Sequence, residues 1–167
     1  MSAPGPVRAA EDSRSNWETP DEVFSALHKV FGFTLDGAAD ETNSKCRDYL
    51  TGPCRDSEDC ICGLCALWGG ETVWINPPYG RGIEEWIYKC IEESTHSTVV
   101  ALLPANTDTQ WFKSVWWGAA EIWFLTGRVQ FVGTTSSNPG GSMVAIFRPR
   151  PKGLSAGPTV RLWEWKA

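Results

Sequence analysis

The tetrapeptide Asn76-Pro77-Pro78-Tyr79 constrains this chain more than any other stretch, because it follows directly on the apolar run 72–75. Proline cannot donate a hydrogen bond to a sheet, so a strand over 72–75 must end at Asn76. In open α/β sheets, ligands bind at the carboxyl ends of strands, which is where such a strand would place Asn76. The alternative is a strand end followed by an ordinary tight turn, since Asn-Pro and Pro-Pro are common in turns.

The chemistry of this tetrapeptide favours a site for a planar ring that carries an NH₂ group. The Asn76 side-chain oxygen and the Pro77 carbonyl can both accept hydrogen bonds from one amine, and the Tyr79 ring offers a face for stacking. Two fixed acceptors pull a conjugated amine towards tetrahedral geometry, which stabilises a transition state more than the ground state. The pattern is therefore suited to methyl transfer to the exocyclic amine of adenine.

Length and composition set the broad class. A chain of 167 residues fits one domain with a substantial core. No apolar stretch approaches the roughly 20 residues that span a bilayer, and residues 1–16 lack the apolar centre of a signal peptide. We therefore expect a cytoplasmic protein without membrane contact. Residues 1–15, rich in Ala, Pro, Ser and charge, are predicted to be a disordered arm.

Charge is spread unevenly along the chain. The net charge of −5 argues mildly against nucleic acid as a partner. Residues 148–167, however, carry five basic side chains against one acidic side chain. This balance predicts a basic tail over 149–167, which either follows phosphates or stands solvated without a partner.

Periodic patterns predict an α/β order of elements. Thr19 is a candidate N-cap with Pro20 at the first helical position, and Gly32 ends that helix. The other predicted elements are strands over 33–36, 72–75, 97–103 and 120–125, helices over 83–91 and 108–117, and a hairpin of 128–132 and 142–148 around the loop 133–141. This order predicts a three-layer, mostly parallel sheet with the hairpin as an antiparallel edge.

Several short motifs occur in the order that is typical of one enzyme family. They are Trp17-Glu-Thr-Pro20, Leu35-Asp-Gly-Ala-Ala39, Asn43-Ser-Lys-Cys46, Asn76-Pro-Pro-Tyr-Gly80, Leu103-Pro-Ala105 and Gly127-Arg-Val-Gln-Phe131. With them, the chain resembles the small phage-type DNA adenine-N6 methyltransferases, which use S-adenosylmethionine. The resemblance implies a compact Rossmann-like class I methyltransferase domain over 16–148 and DNA as a partner. The sequence does not give the oligomeric state, and a monomer is the default expectation.

The resemblance also implies roles for single residues. Tyr79 would stack on the target adenine, and Phe131 is the candidate for the other face of the base. The implied catalytic set is Asn76, Pro77, Pro78 and Tyr79. The implied cofactor-binding set is Trp17, Thr19, Pro20, Asp36, Gly37 and Ala38. Within it, the Asp36 carboxylate would bind the amino group of the cofactor or order a water beside it.

Residues 40–70 depart from the family pattern. Four cysteines fall within twelve residues there: Cys54, Cys60, Cys62 and Cys65. Four thiolates so close together can hold a structural zinc ion, although cytoplasmic cysteines are often reduced and simply packed. The candidates here for the acidic side chain that would read the ribose of the cofactor are Asp48, Asp56, Glu58 and Asp59. We expect no separate target-recognition domain in 167 residues, so DNA selectivity would come from the loop 133–141 and the basic tail.

Two other functions stay open at this point. An Asn-Pro-Pro-Tyr corner serves any planar NH₂ group, so a glutamine amide in a protein is a second possible methyl acceptor. A non-catalytic, zinc-bearing nucleic-acid-binding module would use the cysteines and the tail, and it would have no need of Asn76. Transfer of label from S-adenosylmethionine to DNA, to protein or to neither separates the three functions.

Overall fold

A mixed α/β sheet organises the protein. The computed structural model describes residues 17–52, 62–134, 140–149 and 156–166. In chain order, its elements are α1 (Asp21–Phe31), β1 (Leu35–Asp36), β2 (Asp48–Tyr49), β3 (Thr72–Ile75), α2 (Ile83–Glu93), β4 (Thr98–Pro104), α3 (Gln110–Gly118), β5 (Glu121–Leu125), β6 (Ser142–Phe147) and β7 (Thr159–Trp163). The strands form one sheet in the order β2-β1-β3-β4-β6-β5-β7. The α/β fold class predicted from the sequence is confirmed.

Strands β1 to β4 form the parallel half of the sheet. β1 pairs in parallel with both β2 and β3, and β3 pairs in parallel with β4. Asp36, the last residue of β1, aligns with Trp74 of β3. The two strands therefore end at the same edge of the sheet, and the tetrapeptide that begins at Asn76 follows at that edge.

The antiparallel part of the sheet differs from the predicted hairpin edge. β6 lies between β4 and β5 and runs antiparallel to both. Residues 128–132, the predicted first strand of the hairpin, contribute only an isolated bridge between Val132 and Glu18. Every residue of β6 is buried. A strand that is apolar on both faces is stabilised in the interior of a sheet, which explains why β6 does not lie at the edge.

The carboxyl-terminal segment is not a simple tail. β7 pairs in parallel with β5 and forms one edge of the sheet. The Arg161 guanidinium lies 3.5 Å from the centre of the Trp123 ring, and Arg148 pairs with Glu121. Arg148 and Arg161 are two of the five basic side chains that were counted in 148–167 as possible phosphate contacts. Because both contact other residues of the fold, the case for a phosphate-binding tail is weaker.

Helices cover both faces of the sheet, as the three-layer prediction requires. On one face, the Phe24 ring of α1 lies 5.6 Å from the Trp74 ring of β3. On the other, Gly118 of α3 lies against Ile91 of α2 and close to Phe147 of β6. Trp74 and Phe147 occupy opposite faces, because they align with successive residues of β4. None of the described helices is long and apolar enough to cross a membrane.

Helix α1 begins one residue later than the sequence predicted. Pro20 is its N-cap, and the helix ends at Gly32, which adopts the left-handed conformation at φ 67°. Thr19 is therefore not the N-cap, and that prediction is wrong. The Thr19 hydroxyl is instead buried, and no described group hydrogen-bonds to it.

A buried ion pair fixes the segment before β3 to helix α2. Glu93 is 4% exposed and Lys89 is 7% exposed. The Lys89 ammonium donates to one Glu93 oxygen at 2.6 Å, and the backbone N–H of Trp68 donates to the other at 3.0 Å. The Trp68 indole donates in turn to the Gly63 carbonyl at 3.0 Å. This network holds the segment that follows the cysteines in place.

Replacing Lys89 with Met should lower the free energy of unfolding by about 3–5 kcal/mol, because the Glu93 carboxylate would stay buried without its cation. Equilibrium urea unfolding measures the change. A Lys89→Met/Glu93→Gln double variant should recover most of the loss. Glu92→Gln, at an exposed neighbouring position, should cost less than about 0.5 kcal/mol. A loss below about 1 kcal/mol for Lys89→Met would show that the pair is only a surface-type interaction.

Candidate functional site

A cleft opens where β1 and β3 end, beside the segment that precedes α1. Of the residues predicted to act in binding or catalysis, those that line it are Trp17, Thr19, Asp36, Ala38, Asn76 and Pro78. The remaining predicted residues, Pro20, Gly37, Pro77, Tyr79 and Phe131, do not line it. The carboxyl ends of neighbouring parallel strands are where ligands bind in open α/β sheets, so the cleft has the expected place in the fold.

The side-chain amide of Asn76 has a defined orientation. Its Nδ2 atom donates to the backbone carbonyl of Trp17 at 2.7 Å. Because a carbonyl oxygen only accepts, Nδ2 must face Trp17 and Oδ1 must face away from it. That Oδ1 is buried, and no described group donates to it. An unpaired buried oxygen costs about 1–3 kcal/mol, so it marks a place where a donor from a ligand would be stabilised.

Tyr79 is fixed by its hydroxyl and cannot easily ionise. The hydroxyl donates to the Leu102 carbonyl at 3.2 Å. Burial raises the pKa of the Tyr79 phenol well above its ordinary value. The side chain therefore stays neutral, so any role in recognition would fall to its ring, which is 8% exposed in this conformation.

Three aromatic rings cluster beside Asn76. The Tyr79 and Phe131 ring centres are 5.9 Å apart at an interplanar angle of 87°. Trp17 stacks on Phe131, at 5.1 Å and 28°, and meets Tyr79 edge-on at 6.0 Å. A base held between two rings needs them parallel and about 7 Å apart. Tyr79 and Phe131 do not form such a sandwich in this conformation, and Phe131 supports Trp17 instead.

The Asp36 carboxylate is buried at the edge of the cleft. One oxygen accepts from the backbone N–H of Ala38 at 3.3 Å, and the other accepts from the backbone N–H of Lys45 at 3.0 Å. Burial raises the pKa of Asp36, although the two N–H groups and the Lys45 charge oppose the shift. A carboxylate held in this way is oriented and incompletely solvated, so a cationic ligand group would be stabilised beside it.

Two glycines allow backbone segments to touch behind Asp36. A Cβ on Gly37 would lie 2.6 Å from the Ile75 side chain, and a Cβ on Gly63 would lie 1.9 Å from the Gly37 carbonyl oxygen. Neither position accepts a larger residue without displacing a neighbour. The segment that carries Cys62 and Cys65 is therefore fixed against the loop that follows β1.

Lys45 also lies in the cleft, and the sequence did not reveal its role. Its ammonium is 2.8 Å from the Glu18 carboxylate and 2.7 Å from the Asp21 carboxylate. Burial opposes the charge, but the two carboxylates together raise the pKa of Lys45 above its ordinary value. The only signal in the sequence was that Lys45 belongs to the motif 43–46. The motif does not indicate the two carboxylates, because both lie more than twenty residues away in the chain.

Two of the four clustered cysteines lie within the described residues. The Sγ atoms of Cys62 and Cys65 are 3.2 Å apart. Cys54 and Cys60 fall outside the described residues. Among the side chains that are described, no group of three or more His, Cys, Asp or Glu residues is placed to hold a metal ion.

The sheet, the cleft at the ends of β1 and β3 and the oriented amide define an α/β protein of the methyltransferase type. The sequence model of the family described as DNA N-6-adenine-methyltransferase (Dam) matches residues 7–160, and the chain belongs to this family. It is 31% identical to a DNA N-6-adenine-methyltransferase of Escherichia phage T1, over 84% of this chain and 65% of that protein. It is 32% identical to a DNA N-6-adenine-methyltransferase of Haemophilus phage HP1, over 90% of this chain and 88% of that protein.

The chain thus spans just under two thirds of the T1 relative and most of the HP1 relative. The family resemblance inferred from the motifs is confirmed. The roles of individual residues stay predictions.

Proposed function

We propose that this chain transfers the methyl group of S-adenosylmethionine to the N6 amine of an adenine in DNA. The observation that carries the proposal is the buried Oδ1 of Asn76, to which no described group donates. An adenine N6–H group would donate to this oxygen, and the Pro77 carbonyl would be the second acceptor. Membership of the DNA N-6-adenine-methyltransferase family supports the same chemistry.

The two acceptors would favour the transition state over the ground state. The lone pair of the adenine amine is delocalised into the ring and becomes localised as the nitrogen turns tetrahedral. The N–H groups then carry more positive charge and donate more strongly, so fixed acceptors lower the barrier. Because the Trp17 carbonyl already holds the Asn76 amide at 2.7 Å, the acceptor needs little reorganisation during the reaction.

The proposed reaction does not need a general base. A methylated amine that carries a positive charge is acidic enough to lose its proton to water. Tyr79 is unsuited to take the proton, because burial raises its pKa and its hydroxyl already donates to the Leu102 carbonyl. We therefore assign Tyr79 to recognition of the base through its ring.

The residues around Asp36 fit the methionine part of the cofactor. When bound, S-adenosylmethionine supplies an electrophilic methyl group on a sulfonium ion. The buried Asp36 carboxylate would bind the amino group of the cofactor, with Ala38, which also lines the cleft, allowing close approach. Gly37 does not line the cleft, and its missing Cβ leaves room for the Ile75 side chain instead. The Thr19 hydroxyl, also buried and without a described partner, would bind a polar group of the same part. Trp17 and Pro20 belong to the segment that carries Thr19.

The target adenine would have to leave the DNA stack to reach Asn76. Unstacking costs a few kcal/mol, and stacking on an aromatic ring returns roughly 1–3 kcal/mol. We propose that Tyr79 supplies this ring. Phe131 stays a candidate for the second face, and that role requires the Trp17 ring, which stacks on Phe131 at 5.1 Å, to move aside.

Incubation with methyl-labelled S-adenosylmethionine and unmethylated DNA tests the proposal. Label should enter DNA. A parallel reaction with protein acceptors tests the glutamine alternative, for which label would appear in protein instead. DNA binding without transfer would indicate the non-catalytic module. Either of the last two outcomes would contradict the proposed function.

A structural zinc site is a separate hypothesis for the cysteine segment. Cys62 and Cys65, with their Sγ atoms 3.2 Å apart, can supply two of the four thiolates of a tetrahedral site. Cys54 and Cys60 are the sequence candidates for the other two. The hypothesis predicts about one zinc ion per purified chain, and loss of that zinc in Cys62→Ser/Cys65→Ser. Elemental analysis measures both, with Cys46→Ser as the control. Purified protein without zinc would end the hypothesis.

A further inference from the structure

The loop that carries Lys45 is held by its own hydrogen bonds. One Asp40 carboxylate oxygen accepts from the backbone N–H groups of Thr42, at 2.8 Å, and Asn43, at 3.1 Å. The backbone N–H of Ser44 donates to the Asp40 carbonyl at 3.1 Å. Such side-chain and backbone turns fix the path of a short loop. Lys45 therefore leaves this loop from a defined position.

Lys45 contacts both sides of the cleft. Its backbone N–H donates to the Asp36 carboxylate at 3.0 Å, at the end of β1. Its ammonium, on a side chain that is 11% exposed, donates to Glu18 at 2.8 Å, on the segment that leads into α1, and to Asp21 at 2.7 Å, the first residue of α1. The Glu18 contact is the stronger candidate for a positioning role, because the Asp21 side chain is 86% exposed and its interaction is screened by water.

The segment that Lys45 holds is the one that orients the catalytic amide. Glu18 follows Trp17, whose carbonyl accepts from Asn76 Nδ2 at 2.7 Å. On its other side, the Glu18 carbonyl accepts from the backbone N–H of Val132 at 3.0 Å. A shift of this segment would move the Trp17 carbonyl, and with it the acceptor oxygen of Asn76.

We propose that Lys45 is a positioning residue. It links Asp36, at one side of the cleft, to the segment 17–19, at the other side, and it thereby fixes Asn76 through the Trp17 carbonyl. The inference rests on the proposed methyl transfer, and it gives the motif 43–46 a role that its sequence does not state. Lys45 itself touches neither the methyl group nor the base in this scheme. Its effect is on the relative placement of the cofactor site and the amine acceptor.

Lys45→Met removes the ammonium and keeps most of the side-chain volume. We expect the Kd for S-adenosylmethionine to rise and kcat at saturating substrates to fall, each by about three- to thirtyfold, the range for groups that share a hydrogen-bond network. Calorimetric titration of S-adenosylmethionine measures Kd and stoichiometry without any methyl acceptor. Lys45→Arg should restore most of both, since a guanidinium can reach the same carboxylates.

Two comparisons distinguish positioning from a general loss of structure. Lys29→Met, the same change at an exposed position of α1, should leave Kd and kcat within about twofold of the unmodified protein. Glu18→Gln should lower kcat, and its effect should not add to that of Lys45→Met, because both act on one contact.

Three results would overturn the inference: unchanged Kd and kcat in Lys45→Met, full additivity with Glu18→Gln, or a reduced stoichiometry of binding at unchanged Kd. The last result would mean that part of the protein had unfolded. Absence of methyl transfer by the unmodified protein is a different failure. It would overturn the proposed function, while the calorimetric comparison would still decide whether Lys45 positions the cofactor site.

Discussion

Replacing Asn76 with Ala is expected to lower kcat at least about a hundredfold, while the Kd for S-adenosylmethionine changes less than about threefold. The reason is that the Asn76 oxygen would act on the amine as its charge develops, and the cofactor would be bound chiefly at Asp36. Steady-state methylation of DNA at saturating substrates gives kcat. Calorimetric titration without DNA gives the cofactor affinity.

Asn106→Ala provides a control for this prediction, because it changes the same residue type at an exposed position after β4. It should leave kcat within about threefold of the unmodified protein. A loss of less than about tenfold in Asn76→Ala, equivalent to about 1.4 kcal/mol of barrier, would show that the Asn76 oxygen is not a main acceptor.

Asp36→Asn is expected to raise the Kd for S-adenosylmethionine about ten- to a hundredfold, the value of a hydrogen bond between charged groups. The variant keeps the shape of the side chain but removes its charge. It also leaves one acceptor for the two backbone N–H groups that Asp36 binds. Circular dichroism and thermal unfolding should accompany the titration, so that loss of binding is compared at equal folded fraction.

The cofactor affinity should also depend on pH through Asp36. Burial raises the pKa of this carboxyl in the free protein, and only the ionised form would attract the amino group of the cofactor. Lowering the pH through that raised pKa protonates Asp36, so the Kd for S-adenosylmethionine should rise as the pH falls. Asp36→Asn should lose this dependence. A variant that keeps it would place the titrating group elsewhere.

Asp40→Asn distinguishes the role of Asp36 from that of another carboxylate that lines the cleft. Asp40 is exposed, and its side chain bonds to Thr42 and Asn43 within its own loop. We expect a change in Kd below about fivefold, since its hydrogen bonds are local and solvated. A larger effect for Asp40→Asn than for Asp36→Asn would contradict the assignment of the cofactor ammonium to Asp36.

The parts of the site that the sequence predicted are those that depend on local rules. The strand Thr72–Ile75 has the predicted bounds, because prolines at 77 and 78 forbid its continuation. Asp36 ends β1, and β1 and β3 pair in parallel. Because the two strands are parallel, they end at one edge of the sheet, which is where ligands bind in open α/β sheets. Strand ends and breakers are local signals, so they can be read from one chain.

The parts that the sequence missed depend on distant contacts. β6 was paired with 128–132 in the prediction, but it lies between β4 and β5, because its two apolar faces need cover on both sides. Thr159–Trp163 was read as part of a basic tail, yet it pairs with β5 across more than thirty residues. A charge count does not report pairing with a distant strand.

Within the site, the segment 17–19 also makes a distant contact that the sequence did not reveal. Its resemblance to a family motif predicted contact with the cofactor, and Trp17 and Thr19 do line the cleft. The hydrogen bond from Asn76 to the Trp17 carbonyl joins residues that are 59 positions apart. A backbone carbonyl has no signature in the sequence, so this orienting contact could be found only in the fold.

The most direct test of the proposed function is to identify the methylated nucleoside. DNA treated with the unmodified protein or with Asn76→Ala, in the presence of S-adenosylmethionine, can be digested to nucleosides and analysed by mass spectrometry. We expect N6-methyladenine from the unmodified protein and at least about a hundredfold less, at equal time and concentration, from Asn76→Ala. Methyl groups on cytosine alone, or equal amounts of N6-methyladenine from both proteins, would contradict this expectation.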